Sequence, residues 1–142
     1  PANAPTQIHY AVYESGAWSA PQQVSDTPGM YQFFPSITVG SDDQIWVVWQ
    51  ETADAAGYPK EDPAGGTIYY TVKTNAGWQH QTQLGARNHA LYPSLSWRRQ
   101  TQQATPDVVW LEQDTTAKLE TYTIHAAGGG KPALLAVAGS RR

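Results

Sequence analysis

The feature that most constrains this chain is that it writes itself more than once. The stretch IWVVWQE at residues 45–51 returns as DVVWLEQ at 107–113, with Val48, Trp49 and Glu51 matched by Val109, Trp110 and Glu112. IHYAV at 8–12 is followed six residues later by Trp18, and IYYTV at 68–72 is followed six residues later by Trp78. Ile8 and Ile68 stand 60 positions apart, as do the two Trp, and Trp49 and Trp110 stand 61 apart. FPSITV (34–39) is echoed by YPSLSW (92–97). Several anchors in one order at one period mark an internal repeat, and a repeat of this length is one supersecondary unit that buries its apolar faces by stacking on its neighbours. A third copy opens at ETYTIH (120–125), with Tyr122 and Ile124 in the places of Tyr10 and Val12, and then decays: Gly130 stands where the next Trp is due.

Each unit reads as short strands. IHYAVY and IYYTVK alternate apolar and polar positions, whereas IWVVW is apolar on both faces, the pattern of a strand covered above and below. Turn signals separate the strands (ESGAW, DTPG, GSDDQ, TNAGW, GGGKP), and no stretch carries a sustained helical period with caps. The unit is therefore four strands, PSITV, QIWVVWQE, TIYYTVKT and GWQHQTQL, here called A to D. About sixty residues in four antiparallel strands is the size of a propeller blade. The expected fold is all-β with almost no helix: a partial β-propeller of about two and a half four-stranded blades in a single domain spanning 1–142. Residues 7–24 supply a half blade (C and D), 34–84 a full blade, and 92–138 a second blade whose last strand is ALLAVAG (133–139). Trp18, Trp49, Trp78 and Trp110 are the expected core between blades. Trp46 alternates away from Trp49 and serves the blade interface instead.

Composition excludes several functions. With 40% apolar residues, six Trp and eight Tyr, the chain is too aromatic for disorder, and its polar interruptions leave no membrane span. A net charge of −3, with no basic run longer than a pair, gives no nucleic-acid footprint. There is no cysteine, so neither disulfides nor thiolate metal sites hold the fold. The polar, Pro-rich opening PANAPTQ suits the N-terminus left by secretory cleavage, and equally the loose terminus of any soluble protein; an extracellular or periplasmic location is the expectation.

The pattern IxYxV…GxW…PSI…VVWxE resembles the repeats of sialidase-type β-propellers, the BNR or Asp-box class, over residues 7–137. That resemblance implies a turn with Gly and Trp between strands C and D. It also implies a ligand site on the opposite face, which carries the D–A and B–C loops. The Asp of the box is missing in YESGAWS and KTNAGWQ, and the Gly-to-Trp spacing differs between Gly16–Trp18 and Gly77–Trp78. Sialidase chemistry uses an arginine cluster, a Tyr nucleophile aided by Glu, and an acid/base carboxyl. Here only Arg87, Arg98, Arg99, Arg141 and Arg142 exist, adjacent Arg98 and Arg99 would point to opposite faces of a strand, and the family's Arg-Ile-Pro motif is absent. Tyr10, Tyr70 and Tyr122 recur at one blade position and read as core. No catalysis is expected.

His9, His80, His89 and His125 lack metal-ligand spacing, and Asp42 and Asp43 sit in an A–B turn without alternating acidic ligands, so no metal and no cofactor is expected. GYPKEDPAGG (57–66) is a B–C insertion absent from the second unit, a surface loop whose Glu61 and Asp62 read as solvated charge. The candidate binding residues are Tyr31 and Phe33 in MYQFF, Tyr58 in the insertion, His89 in NHALYP and Arg87 just before it. They are placed in loops on one face, where aromatic platforms stack on sugars or anchor a protein partner. Against this stands the reading that Phe33, Phe34 and Tyr92 plug the ring centre. The first functional expectation is a non-catalytic propeller module, an accessory or structural subunit bound to further polypeptide: the rest of a precursor, copies of itself or other subunits. A glycan-binding lectin is the alternative, and a remnant sialidase-like glycoside hydrolase the third.

Overall fold

A computed structural model describes residues 5–40, 43–53, 66–84, 90–97, 105–114, 121–128 and 130–135. Among them the chain is all-β: strands without a helix, in antiparallel sheets, none of them closed. At the N-terminus β1 (His9–Tyr10) pairs with β4 (Gln22–Gln23), and β2 (Tyr13–Glu14) with β3 (Ala17–Trp18) inside the same hairpin. The middle sheet runs β5 (Tyr31–Val39), β6 (Ile45–Thr52) and β7 (Thr67–Thr74), and its last edge is shared by β8 (Gly77–Trp78) and β9 (Thr82–Leu84), both paired to β7. The third sheet is β10 (Ala90–Ser96), β11 (Asp107–Asp114), β12 (Thr121–Gly128) and β13 (Gly130–Leu135) in sequence order.

The differing Gly-to-Trp spacings resolve at the turns. Ser15 and Gly16 both take positive φ (53° and 85°), the paired left-handed conformation of a two-residue hairpin turn, whereas in the second turn only Gly77 does (105°). Both solutions place the Trp alike, Trp18 opposite Tyr13 and Trp78 opposite Lys73, which are themselves 60 positions apart.

Strand β6 explains the packing. Its alternate residues feed two different cores. Val47 and Trp49 pack with Ile8 and Val24 of the N-terminal hairpin, with Tyr10 and Trp78 at the edge. Val48 on the other face packs with Ile68 against Ala90, Val108 and Trp110, with Tyr70, Leu84 and Leu95 around them. The two cores are built from the same parts. Ile8, Tyr10 and Val24 meet Val47 and Trp49 in the first; Ile68, Tyr70 and Leu84 meet Val108 and Trp110 in the second. Trp49 is fully buried and Trp110 nearly so, each removing a large apolar surface from water.

The repeat also supplies its own controls. Val48 is buried under the third sheet, but its counterpart Val109 is 41% exposed, because no described residue covers the far face of that sheet. Leu95 is half-buried against the middle sheet, while its counterpart Ile37 is exposed, because the N-terminal hairpin has only the equivalents of β7 to β9 and nothing to lie over β5. Trp78 packs edge-on against Tyr10 at 5.3 Å, but Trp18, expected in the core, is 70% exposed. It touches Tyr13 of its own hairpin (5.3 Å), and among the described residues no sheet stands where Tyr10 stands for Trp78.

Two further expectations change. MYQFF is not a loop: Tyr31, Gln32 and Phe33 pair with Thr52, Glu51 and Gln50, so β5 begins four residues earlier than PSITV. A bulge between Phe33 and Ser36 accommodates Pro35, which has no N–H to give the ladder. In the third sheet Ile124 lies opposite Leu111 as Ile68 lies opposite Gln50, and Ala126 opposite Val109 as Tyr70 lies opposite Val48. Ile124 thus takes the place of Ile68, and Tyr122 does not take that of Tyr70. β13 begins at Gly130, ahead of ALLAVAG, whose residues from 136 on lie outside the described ones.

Candidate functional site

The two bulges carry the most unusual backbone in the molecule. Phe34 and Tyr92, each immediately before the Pro of a repeated PS pair, both sit at positive φ (52° and 51°), a region bulky residues avoid. The bulges lie at the same place in β5 and β10, between Phe33 and Ser36 and between Leu91 and Ser94. This twist turns both rings outward and together: they meet edge to face with centroids 4.9 Å apart and are 38% and 48% exposed. Phe33 lies 6.3 Å from Phe34, and Tyr31 stacks on Phe33 at 6.5 Å with planes 13° apart. The four rings form one aromatic strip across two sheets. Strain of this kind costs on the order of 1–3 kcal/mol per residue and persists where the surroundings impose it.

Beneath the strip lies a buried polar cluster. Gln32, between Tyr31 and Phe33, turns to the opposite face and donates from Nε2 to Glu51 Oε2 at 3.0 Å. Its Oε1 accepts from Ser25 Oγ and, at 3.3 Å, from the backbone N–H of Ile8, while its backbone N–H donates to Thr6 Oγ1 at 2.9 Å. Gln81, in the break between β8 and β9, donates to Glu51 Oε2 (3.4 Å) and to Thr27 Oγ1, and accepts from the Asp26 backbone N–H (3.1 Å). Trp49 Nε1 approaches the same carboxylate oxygen at 3.4 Å. Glu51 is 1% exposed, and its Oε1 has no hydrogen-bond partner among the described residues. Burial, and secondly the negative charge of Glu51, push the hydroxyl of Tyr69 above its ordinary value; Tyr69 stacks on Trp49 at 6.4 Å. A buried carboxylate without a cation is costly unless hydrogen-bonded, and here three donors from three segments converge on one oxygen. The cluster ties the N-terminal hairpin to the middle sheet. It offers a single carboxylate, and among the described residues no group of three His, Asp or Glu gathers to hold a metal.

Of the candidate binding residues, Tyr31 and Phe33 are brought together as stacked strand residues, while Tyr58, Arg87 and His89 lie outside the described residues. The structure adds Phe34 and Tyr92 to the surface and Gln32, Ser25 and Gln81 to the interior. One sequence signal pointed to the buried cluster: Glu51 closes an otherwise uncharged strand and recurs as Glu112, also buried. Its partners carry no such mark, because Gln32 and Gln81 are not repeated; Gln32 aligns with Ala90. Comparison of the chain with family models, with curated proteins and with solved structures gives no match.

Proposed function

We propose that this chain is part of a β-propeller-like stack of the sialidase-repeat type, acting outside the cytoplasm as a non-catalytic interaction module. One observation carries the reading. Three apolar residues covered at an internal interface have counterparts left uncovered at an outer one: Val48 and Val109, Leu95 and Ile37, Trp78 and Trp18. Soluble monomers rarely leave large apolar faces bare. Covering several hundred Å² at about 25 cal/mol per Å² is worth on the order of 10 kcal/mol before the cost of association is deducted. Further polypeptide therefore completes the stack, with the chain as a structural or accessory subunit. Light scattering on the isolated chain across the micromolar range is expected to show a mass above that of one chain. A folded, non-aggregating monomer would overturn the reading.

The aromatic strip favours a second reading, a glycan-binding lectin. A lectin built on repeats presents its binding groups once per unit, and Phe34 and Tyr92 are repeated, exposed and outside the core. Aromatic faces of this kind stack on the apolar faces of sugars. On a glycan array the lectin reading requires saturable binding, competed by one free sugar and lost in Phe34→Gly, a change the left-handed backbone accepts. Absence of any saturable sugar binding would leave the interaction module alone.

A further inference from the structure

The second interface contains a space that the first one fills. Trp46, Tyr70, Leu84, Leu95, Pro106 and Val108 line an open, apolar cleft of about 200 Å³ between the middle and third sheets. In the repeat, Tyr70, Pro106 and Val108 correspond to Tyr10, Ile45 and Val47. At the first interface those three residues belong to the same core as the indole of Trp78, which stands edge-on to Tyr10 at 5.3 Å. Trp78 reaches them from β8, on the hairpin that follows β7.

Among the described residues the third sheet has no equivalent of β8. Its Ala126–Ala133 pair corresponds to Tyr70–Thr82, so six residues (127–132) do the work of eleven (71–81), and Gly128 already pairs with Gly130. The shortened hairpin omits the segment that carries the Trp, and the cleft beside Tyr70 is what remains. An apolar cavity of about 150 Å³ is enough to hold a benzene ring, so this cleft has room for an aromatic side chain.

The same chain carries the matching part. Trp18 is the repeat counterpart of Trp78, presented at the end of the same kind of hairpin, 70% exposed, with Tyr13 beside it also 59% exposed. Among the described residues Trp18 is an indole with no neighbouring sheet, and the cleft, where Trp46 of the middle sheet stacks on Tyr70 at 5.7 Å, receives no indole from the β12–β13 hairpin. We infer that Trp18 of one copy inserts into the Tyr70–Pro106–Val108 cleft of a second copy, edge-on to Tyr70 as Trp78 is to Tyr10. This rests on the reading of the chain as an interaction module and names the residues through which copies join. Because the surface given and the surface received differ, two copies can exchange the contact reciprocally about a two-fold axis, or successive copies can propagate it into a ring or a filament.

Light scattering with complementary variants tests this. Trp18→Ser removes the indole, and Leu84→Trp fills the slot from within. Each variant alone is expected to associate at least tenfold more weakly than the parent. Mixed in equal amounts they are expected to regain a one-to-one complex, since the first still has its slot and the second its Trp18; that recovery excludes misfolding as the cause of the loss. Leu95→Trp replaces Leu84→Trp if circular dichroism shows the latter misfolded. Free indole, which needs no variant to fold, is expected to compete with association of the parent. Association of Trp18→Ser as tight as the parent's, a mixture that stays dissociated, or no competition by indole up to its solubility overturns the inference. A Trp18→Ser variant that still assembles through its open faces leaves the broader reading standing, whereas a monomeric parent removes both.

Discussion

At the scale of single residues the repeat creates paired sites whose chemistry is the same and whose environment differs, which lets burial be separated from identity. Trp49 and Trp110 fill the two interfaces at equivalent positions, and both are buried. Truncating a buried Trp loses its transfer energy and leaves a cavity, so Trp49→Ala and Trp110→Ala should each cost about 3–5 kcal/mol. Trp18→Ala removes the same side chain from an exposed hairpin and should change stability by no more than about 0.5 kcal/mol in the dilute monomer. Urea denaturation of the three variants measures this. Equal losses at all three sites would mean that the interfaces do not carry the stability assigned to them. Phe34 and Tyr92 are the opposite case, rings whose position costs backbone energy and adds little burial.

At the scale of elements, what was legible in the sequence was what periodicity writes. β6 was readable because a strand covered on both faces is apolar at successive positions, as it is from Ile45 to Trp49, and β7 because alternation and β-branched residues mark a strand with unlike faces. The start of β5 was not readable, since Pro35 suggests a strand boundary, and only a bulge, invisible to periodicity, lets pairing continue back to Tyr31. The register of the third copy is hidden from the sequence for a related reason. Tyr122 and Ile124 alternate as Tyr10 and Val12 do, and alternation alone cannot tell a strand from the same strand slipped by an even number of residues, here four, which keeps every side chain on its face. The partner strand decides it, through Leu111 opposite Ile124. The burial of Trp49 and Trp110 follows from pattern, but the exposure of Trp18 depends on which neighbour exists, and no local signal carries that. Likewise the buried cluster at Glu51 is assembled from Ser25, Gln32 and Gln81, residues far apart in the chain that only the stacking of the hairpin on the middle sheet brings together.

At the scale of the whole molecule the arrangement is linear. The N-terminal hairpin and the third sheet both pack on the middle sheet, through separate cores that share no residue. In such a stack each unit is stabilised by its neighbours alone, so stability is distributed as a sum of interfaces and need not be lost all at once. β6 contributes to both interfaces and is buried from Val47 to Thr52, so its amides should open only when both are broken. The two-residue strands of the N-terminal hairpin are held by one interface and largely exposed, so they should exchange first. Native-state hydrogen exchange followed by mass spectrometry reads these differences, and Trp110→Ala gives the decisive comparison. Because Trp110 belongs to the second core only, its loss should accelerate exchange in β10 and β11 while β1 and β4 keep their parental rates. If exchange in β1 and β4 rises as much as in β11, the chain opens as one cooperative body, and the sheets are not the separable repeating units that the sequence and the two matched cores describe.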